Sequence, residues 1–329
     1  MRRMRFSALV CTIAVVLTLA FAVSSDAAVK AQLSISGNTE SGTYYGAVAF
    51  KEAVERESGG QIVVEIFPNG QLGSEQAGFE AQTMNALDFN TGAASVLALF
   101  VPGTDVFGMP FLFENKAQAY EILDGPVAAE IFKAAEAHSI KVLASWENGF
   151  RQVGTIKKPI HKLEDLKGLK IRTAPGDIFI NTWACLGASA TPIAWNEVFT
   201  ALQTGVVDGQ EVPLGPFYTG GFGEVVKYYS FINYMYDPFI FSVSMSFWNK
   251  LTPEQQKAVQ VVAEESRDAQ RAFTSKLEEE AMTALVEKEG MTFIEIDDLK
   301  PFQDAVRPVL EKYQHKDNLK KVLAALGRE

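Results

Sequence analysis

Cysteine is almost absent from this chain of 329 residues: Cys11 and Cys185 are the only two, too few for a disulfide framework or a cysteine-rich metal site. Histidine is nearly as scarce. His138, His161 and His315 lie far apart in sequence, and none recruits an evident partner for metal binding or base catalysis. Positive charge is in deficit, with 30 Lys plus Arg against 40 Asp plus Glu and a formal net charge of -10, which argues against affinity built on neutralising phosphates. Nucleic acid is therefore not an expected partner. The chain also lacks a Gly-x-Ser-x-Gly elbow, a His-Glu-x-x-His helix, a phosphate loop and a dinucleotide fingerprint. No enzyme activity, cofactor or metal is expected. The carboxylate runs Glu278-Glu279-Glu280 and Asp297-Asp298 fall in charged stretches and read as a solvated helix face and a turn.

Long apolar runs are confined to one place. Arg2, Arg3 and Arg5 precede an apolar to weakly polar run from Ala8 to Val23, followed by Ser24-Ser25-Asp26-Ala27. This is the form of a secretory signal peptide, with small residues where a signal peptidase cuts, so residues 1–27 are expected to be removed after Ala27. The run falls short of the ~20 residues a spanning helix needs. Cys11 lies inside it rather than after it, so a lipid anchor is not indicated either. The expected mature protein is periplasmic, not inserted in the membrane, and holds a single cysteine, Cys185.

A chain of this length predicts about two domains. Gln32 to Ser36 and Ile62 to Phe67 read as strands, Tyr44 to Ser58 and Glu75 to Leu87 as helices, Phe89 to Thr91 as a strand, Lys116 to His138 as one helix, and Lys141 to Trp146 as a strand. The second half repeats the theme: strand Leu169 to Thr173, helix Ile178 to Leu186, strand Ala190 to Pro192, helix Asn196 to Gln203, and a strand-like Gly209 to Pro213. Alternating strands and helices predict an α/β fold in two lobes, with mostly parallel sheets. From Thr252 to Glu289 helix formers follow Pro253 and stop at Gly290. At 1.5 Å per residue that is roughly 50 Å, so it either traverses both lobes or breaks near Ser275.

Two arginines stand out. In Leu169-Lys170-Ile171-Arg172-Thr173, Arg172 sits at the carboxyl end of a strand, just ahead of the Ala174-Pro175-Gly176 turn. Ligands of open α/β sheets bind outside the carboxyl ends of strands, and a guanidinium there can hold a carboxylate through two parallel hydrogen bonds. Arg151 follows a strand where the chain is expected to cross between lobes. A surface or structural ion pair is the competing reading for either.

The stretches Phe67-Pro68-Asn69-Gly70-Gln71-Leu72-Gly73-Ser74-Glu75, Gly168 to Pro175, Ala201 to Glu211, Met109 to Phe113 and Trp248 to Gln256 occur in one order along the chain. Together they resemble the solute-binding subunits of tripartite ATP-independent periplasmic (TRAP) transporters, of the dicarboxylate-binding type. The resemblance implies a two-lobed periplasmic binding protein fold, with lobe I from 28–150 plus 238–275, lobe II from 151–237 plus 276–329, and a long helix spanning both. It also implies capture of one organic acid and delivery to TRAP membrane permease subunits, a sensor kinase being the alternative recipient. Arg172 matches the family arginine that clasps the ligand carboxylate, and Arg151 a second one beside it. Trp195 falls where the family places a ring against the ligand, and Glu75, Ala93 and Asp237 fall in or beside segments that reach the cleft. Two departures bear on the ligand. Val212 stands where the family commonly has an asparagine, and Ala93 where sialic-acid-binding relatives carry a carboxylate. With Trp146, Trp183, Trp195, Phe217, Tyr218, Tyr234 and Tyr236, they suggest a less polar ligand, such as an aromatic or branched monocarboxylate or a 2-oxo acid.

Overall fold

The computed structural model describes residues 28–328, so the expected signal peptide lies outside the described residues. The elements before the first crossing are β1 (Val29–Ser34), α1 (Gly42–Glu57), β2 (Ile62–Phe67), α2 (Glu75–Thr83), β3 (Phe89–Ala93), α3 (Ala94–Leu97), α4 (Lys116–Leu123), α5 (Pro126–Lys133) and β4 (Ile140–Trp146). After it come β5 (Phe150–Thr155), β6 (Lys170–Thr173), α6 (Asp177–Cys185), β7 (Ser189–Pro192), α7 (Val198–Gln203), β8 (Gly209–Val212), α8 (Leu214–Thr219) and β9 (Tyr228–Tyr236). A second crossing leads to β10 (Phe239–Ser244), α9 (Met245–Trp248), α10 (Pro253–Glu289), β11 (Thr292–Glu295), α11 (Lys300–Ala305), α12 (Arg307–Lys312) and α13 (Lys316–Ala325).

The strands form two sheets, β2-β1-β3-β10-β4 and β11-β9-β5-β8-β6-β7. Both are mostly parallel, as expected, with one antiparallel strand in each. In each, one strand runs against both neighbours: β10 is antiparallel to β3 and β4, and β5 is antiparallel to β8 and β9. These are the strands the chain enters directly after crossing, β5 after β4 and β10 after β9, so the reversal follows from a crossover made by extended chain rather than by a helix. The first crossing turns at Gly149, whose φ of +115° is open to glycine and strained for any side chain, and where a Cβ would stand 2.9 Å from Pro213 Cβ.

The expected helix over Lys116 to His138 is instead two helices and a 3-10 turn. Pro126, at the first position of α5, has no N–H to continue α4, and Gly125 caps the new start. Likewise α2 ends at Thr83, before Asn85 turns into the left-handed region at φ +58°. The long helix α10 is continuous through Ser275 for 37 residues, about 55 Å. Thr252 and Gln255 form a capping box at its start, and Gly290 at φ +63° closes it. Its first part packs on α1 and β4, and its second part on α8, so it bridges the lobes.

Aromatic packing fixes the first sheet against α1: Trp146 stacks on Phe241 at 4.6 Å, and Phe50 meets Phe241 edge-on at 4.7 Å. Such pairs contribute about 0.5–1.5 kcal/mol each beyond their buried area. The C-terminal helices touch both halves. α12 packs on α6, and α13 packs on α5, where Lys321 pairs with Glu130 at 2.8 Å.

Candidate ligand cleft between the lobes

A cleft of about 340 Å³ opens between the sheets at the carboxyl ends of β6 and β8. Arg172, Arg151, Trp195, Val212, Glu75 and Ala93 all line it. Asp237 is not among the lining residues. It lies fully buried at the β9–β10 crossing, where Ser95 Oγ donates to its carboxylate at 2.7 Å and Arg151 Nη1 stands 3.8 Å away.

The two arginines differ in what they hold. The guanidinium of Arg151 grips Glu211 through Nε and through Nη2 at 2.9 Å, and Nη2 also donates to the Glu211 carbonyl at 2.8 Å. Burial opposes that charge, but Glu211 overcomes it and holds the Arg151 guanidinium more firmly protonated than an ordinary arginine. Glu211 is further satisfied by the Tyr234 hydroxyl at 2.5 Å and the Ala174 N–H at 3.2 Å. Arg172, only 2% exposed, donates from Nε at 3.0 Å and Nη2 at 2.7 Å to the Ile193 carbonyl, and among the described residues it makes no ion pair. Burial, with Arg151 adding to it, outweighs the attraction of Glu211 and pushes Arg172 down to about 10. It stays a cation at neutral pH, but an expensive one, whose remaining donor capacity faces the cleft.

Glu75 begins α2 after the Ser74 cap. Its carboxylate accepts from Ser36 Oγ at 3.0 Å and from the Ala93 N–H at 2.9 Å, which ties α2 to the ends of β1 and β3. Burial raises its pKa above the ordinary glutamate value, and those two hydrogen bonds and the arginines offset this only in part. Trp195 packs edge-on against Phe222 at 5.3 Å, with Phe199 beside them, forming one apolar wall. Side-chain amides at the cleft come from Asn69, Gln76, Asn148 and Asn196.

Of the seven rings read as hints of a less polar ligand, Trp195 alone lines the cleft. Trp146, Trp183, Phe217, Tyr234 and Tyr236 are fully buried, and Tyr218 lies outside the lining. The Trp183 indole N–H, for example, donates at 3.2 Å to the Tyr234 hydroxyl, which itself donates to Glu211. Sequence reasoning also missed a second charged group at the hinge. Glu147, where β4 leads into β5, accepts from the hydroxyls of Tyr120 and, at 2.8 Å, Tyr236, while Lys116 bridges it at 3.4 Å to Glu278, which is 2.5 Å from the same ammonium. Glu278 is thus not on a solvated face as expected. Its partner lies in α4, and no local pattern announces that.

A two-lobed α/β protein with an arginine-bearing cleft between its sheets has the architecture of a ligand receptor. Comparison with known proteins agrees. Residues 33–317 match the family described as bacterial extracellular solute-binding protein, family 7. A solute-binding protein of Verminephrobacter eiseniae is 33% identical over 88% of this chain and 86% of its own length. A TRAP periplasmic solute binding protein from Sulfitobacter sp. NAS-14.1, solved with bound beta-D-galacturonate, is 32% identical with a TM-score of 0.86, covering 90% of this chain and 98% of that one. Another from Polaromonas sp. JS666, bound to D-erythronate, is 29% identical with a TM-score of 0.88, covering 91% and 99%. The chain belongs to this family of TRAP extracytoplasmic solute-binding proteins, a class of transport receptors rather than of enzymes.

Proposed function

We propose that this protein, exported by its N-terminal segment to the periplasm, captures a small hydroxylated monocarboxylate on Arg172 and delivers it to the membrane permease of a TRAP transporter. The observation that carries this reading is the buried Arg172 guanidinium, held in place by the Ile193 carbonyl and, among the described residues, in direct contact with no carboxylate. A buried charge without a counterion is costly. A ligand carboxylate supplies that counterion, through the bidentate geometry that guanidinium favours. Arg151 is already neutralised by Glu211 and acts as a positioning residue and a source of field rather than as the main clasp. Trp195 and Val212 offer apolar contact to the carbon skeleton, and Asn148, Asn196 and Gln76 offer donors and acceptors to hydroxyls.

Ligand binding favours the closed arrangement of the lobes by bridging them, and the permease reads that closed surface. Thermal-shift and calorimetric titration of the mature protein with D-galacturonate, D-erythronate and a set of branched and aromatic monocarboxylates tests the reading. A sugar acid that raises the melting temperature, with the rise lost in Arg172→Ala, supports it. Preference for an aromatic acid overturns the hydroxylated class, and full affinity without Arg172 overturns the clasp. Uptake of the same acid by vesicles carrying the TRAP permease, only when the purified protein is added, tests delivery.

A further inference from the structure

Behind the cleft the charges do not balance. Arg151 and Arg172 face three carboxylates, Glu75 from α2, Glu211 from β8 and Asp237 from the β9–β10 crossing, with the Tyr234 hydroxyl from β9 joined to Glu211. These groups sense one another: Arg172 and Arg151 both act on Glu75, while Arg151 and Glu211 both act on Asp237. Among the described residues no lysine or histidine lines the cleft to add a further cation, and the other carboxylate residue lining it, Glu147, is paired with Lys116. With all three carboxylates ionised the group carries one net negative charge, and an anionic ligand makes that two.

We infer that capture of the acid is coupled to uptake of one proton, and that Glu75 is the group that receives it. This deepens the reading of the cleft as an organic-acid site and rests on it. Glu211 is locked by Arg151, Tyr234 and the Ala174 N–H, so protonating it would break a satisfied network. Asp237 is separated from the cleft by Arg151 and does not line it. Glu75 lines the cleft, has the weakest set of partners, one hydroxyl and one backbone N–H, and loses part of the stabilising field of Arg172 once the ligand carboxylate occupies that guanidinium. As a neutral acid it keeps one acceptor oxygen for the Ala93 N–H and gains an O–H to donate toward the bound acid. Burial already raises its pKa in the empty cleft, which favours the neutral acid.

The consequence is a pH-dependent affinity. Above the pKa of the unliganded Glu75, and below that of the liganded one, each added pH unit weakens binding by up to about tenfold. Calorimetry of D-galacturonate and D-erythronate binding near neutral pH, in buffers of small and large ionisation enthalpy, counts the protons directly. The expected count for whichever acid binds approaches one per ligand, and Glu75→Gln, a permanent mimic of the neutral acid, drops it to near zero and flattens the pH dependence, whatever its own affinity. Asp237→Asn keeps the uptake. Binding with no proton taken up overturns the coupling. Uptake that survives in Glu75→Gln but vanishes in Asp237→Asn overturns the choice of Glu75. If neither acid binds, the organic-acid reading falls and the coupling falls with it.

Discussion

Arg151 and Arg172 lie two strands apart in the second sheet, both buried, and the carboxylate of Glu211 on the strand between them is spent on only one. Arg151 owns that ion pair; Arg172 has a single backbone carbonyl. Spacing in sequence could not distinguish them, because both follow or end strands at the same edge of the sheet. The proposed clasp therefore implies a division of labour, in which one guanidinium stabilises the empty protein and the other awaits the ligand.

Substitution should separate those roles. Arg172→Met removes a buried cation that, among the described residues, pairs directly with no carboxylate, so the ligand-free protein should melt at the same temperature or higher, a stability gain of the kind that functional sites commonly forgo. Its affinity for the acid should fall by at least two to three orders of magnitude, since removing one partner of a buried pair costs about 3–5 kcal/mol. Arg172→Lys should also bind poorly, because one ammonium cannot hold both the Ile193 carbonyl and a carboxylate in a planar fork. A ligand-free Arg172→Met that is markedly less stable than wild type would assign Arg172 a structural role instead.

Arg151→Met should show the opposite pattern. It strands the Glu211 carboxylate with one hydroxyl and one backbone N–H, at a cost to folding of about 3–5 kcal/mol. Chemical denaturation of the ligand-free protein measures this, and an unchanged midpoint would contradict it.

Asp237 sets a pH dependence on stability. Burial, only partly offset by Arg151 and Ser95, raises it to about 6 from an ordinary 3.8. A carboxyl group whose folded pKa is raised contributes most to stability below its unfolded pKa, and that contribution is lost as pH rises through the folded value. The window is therefore pH 4 to 6. Asp237→Asn does not ionise, so its melting temperature relative to wild type should climb across that window and level off above it. A difference that stays flat from pH 4 to 7 would remove Asp237 as the cause.

The parts of the fold that were legible in sequence are those whose signals are local. Ile62 to Phe67 is a run of apolar and β-branched residues and emerges as β2 with those bounds, and Thr252 to Gly290 carries its own cap, proline and stop. Strands β5, β9 and β10 gave no such signal. Tyr228–Tyr236 and Phe239–Ser244 are buried on both faces, so alternation is lost, and β5 places Arg151 and Gln152 in the interior, where polarity argues for surface. The cleft was legible where it is built from strand ends, as at Arg172, and hidden where it depends on pairing across the chain. Lys116 and Glu278 meet across 162 residues, and each alone reads as a solvated charge.

Lys116 is accordingly a stronger determinant of the hinge than its sequence context suggests. Among the described residues it is the one cation between Glu147, whose side chain is fully buried, and Glu278, and both carboxylates hold its ammonium protonated against the cost of burial. Lys116→Met should leave two carboxylates facing each other at the first crossing and destabilise the protein by several kcal/mol, at the scale of about 3–5 kcal/mol for a broken buried pair. The paired change Lys116→Met with Glu278→Gln should recover part of the loss. Equal unfolding midpoints for the single and double variants would show that the Lys116–Glu278 pair does not couple.

The mouth of the cleft offers a last test, this one on kinetics. Asn38, in the loop after β1, donates from Nδ2 to the carbonyl of Thr219 at the end of α8, a 2.7 Å contact that joins the first lobe to the second. Both residues line the cleft, so the bond forms only when the lobes are near each other. A hydrogen bond of this kind contributes about 0.5–1.5 kcal/mol net, enough to shift the open–closed balance by about two- to tenfold. Because the bond is absent in the open form that admits ligand, its loss should appear in release rather than in capture. Asn38→Ala should therefore raise the dissociation rate by that factor and leave the association rate near wild type in stopped-flow measurements. A slower association with unchanged release would mean that Asn38 guides the ligand inward instead of holding the lobes shut.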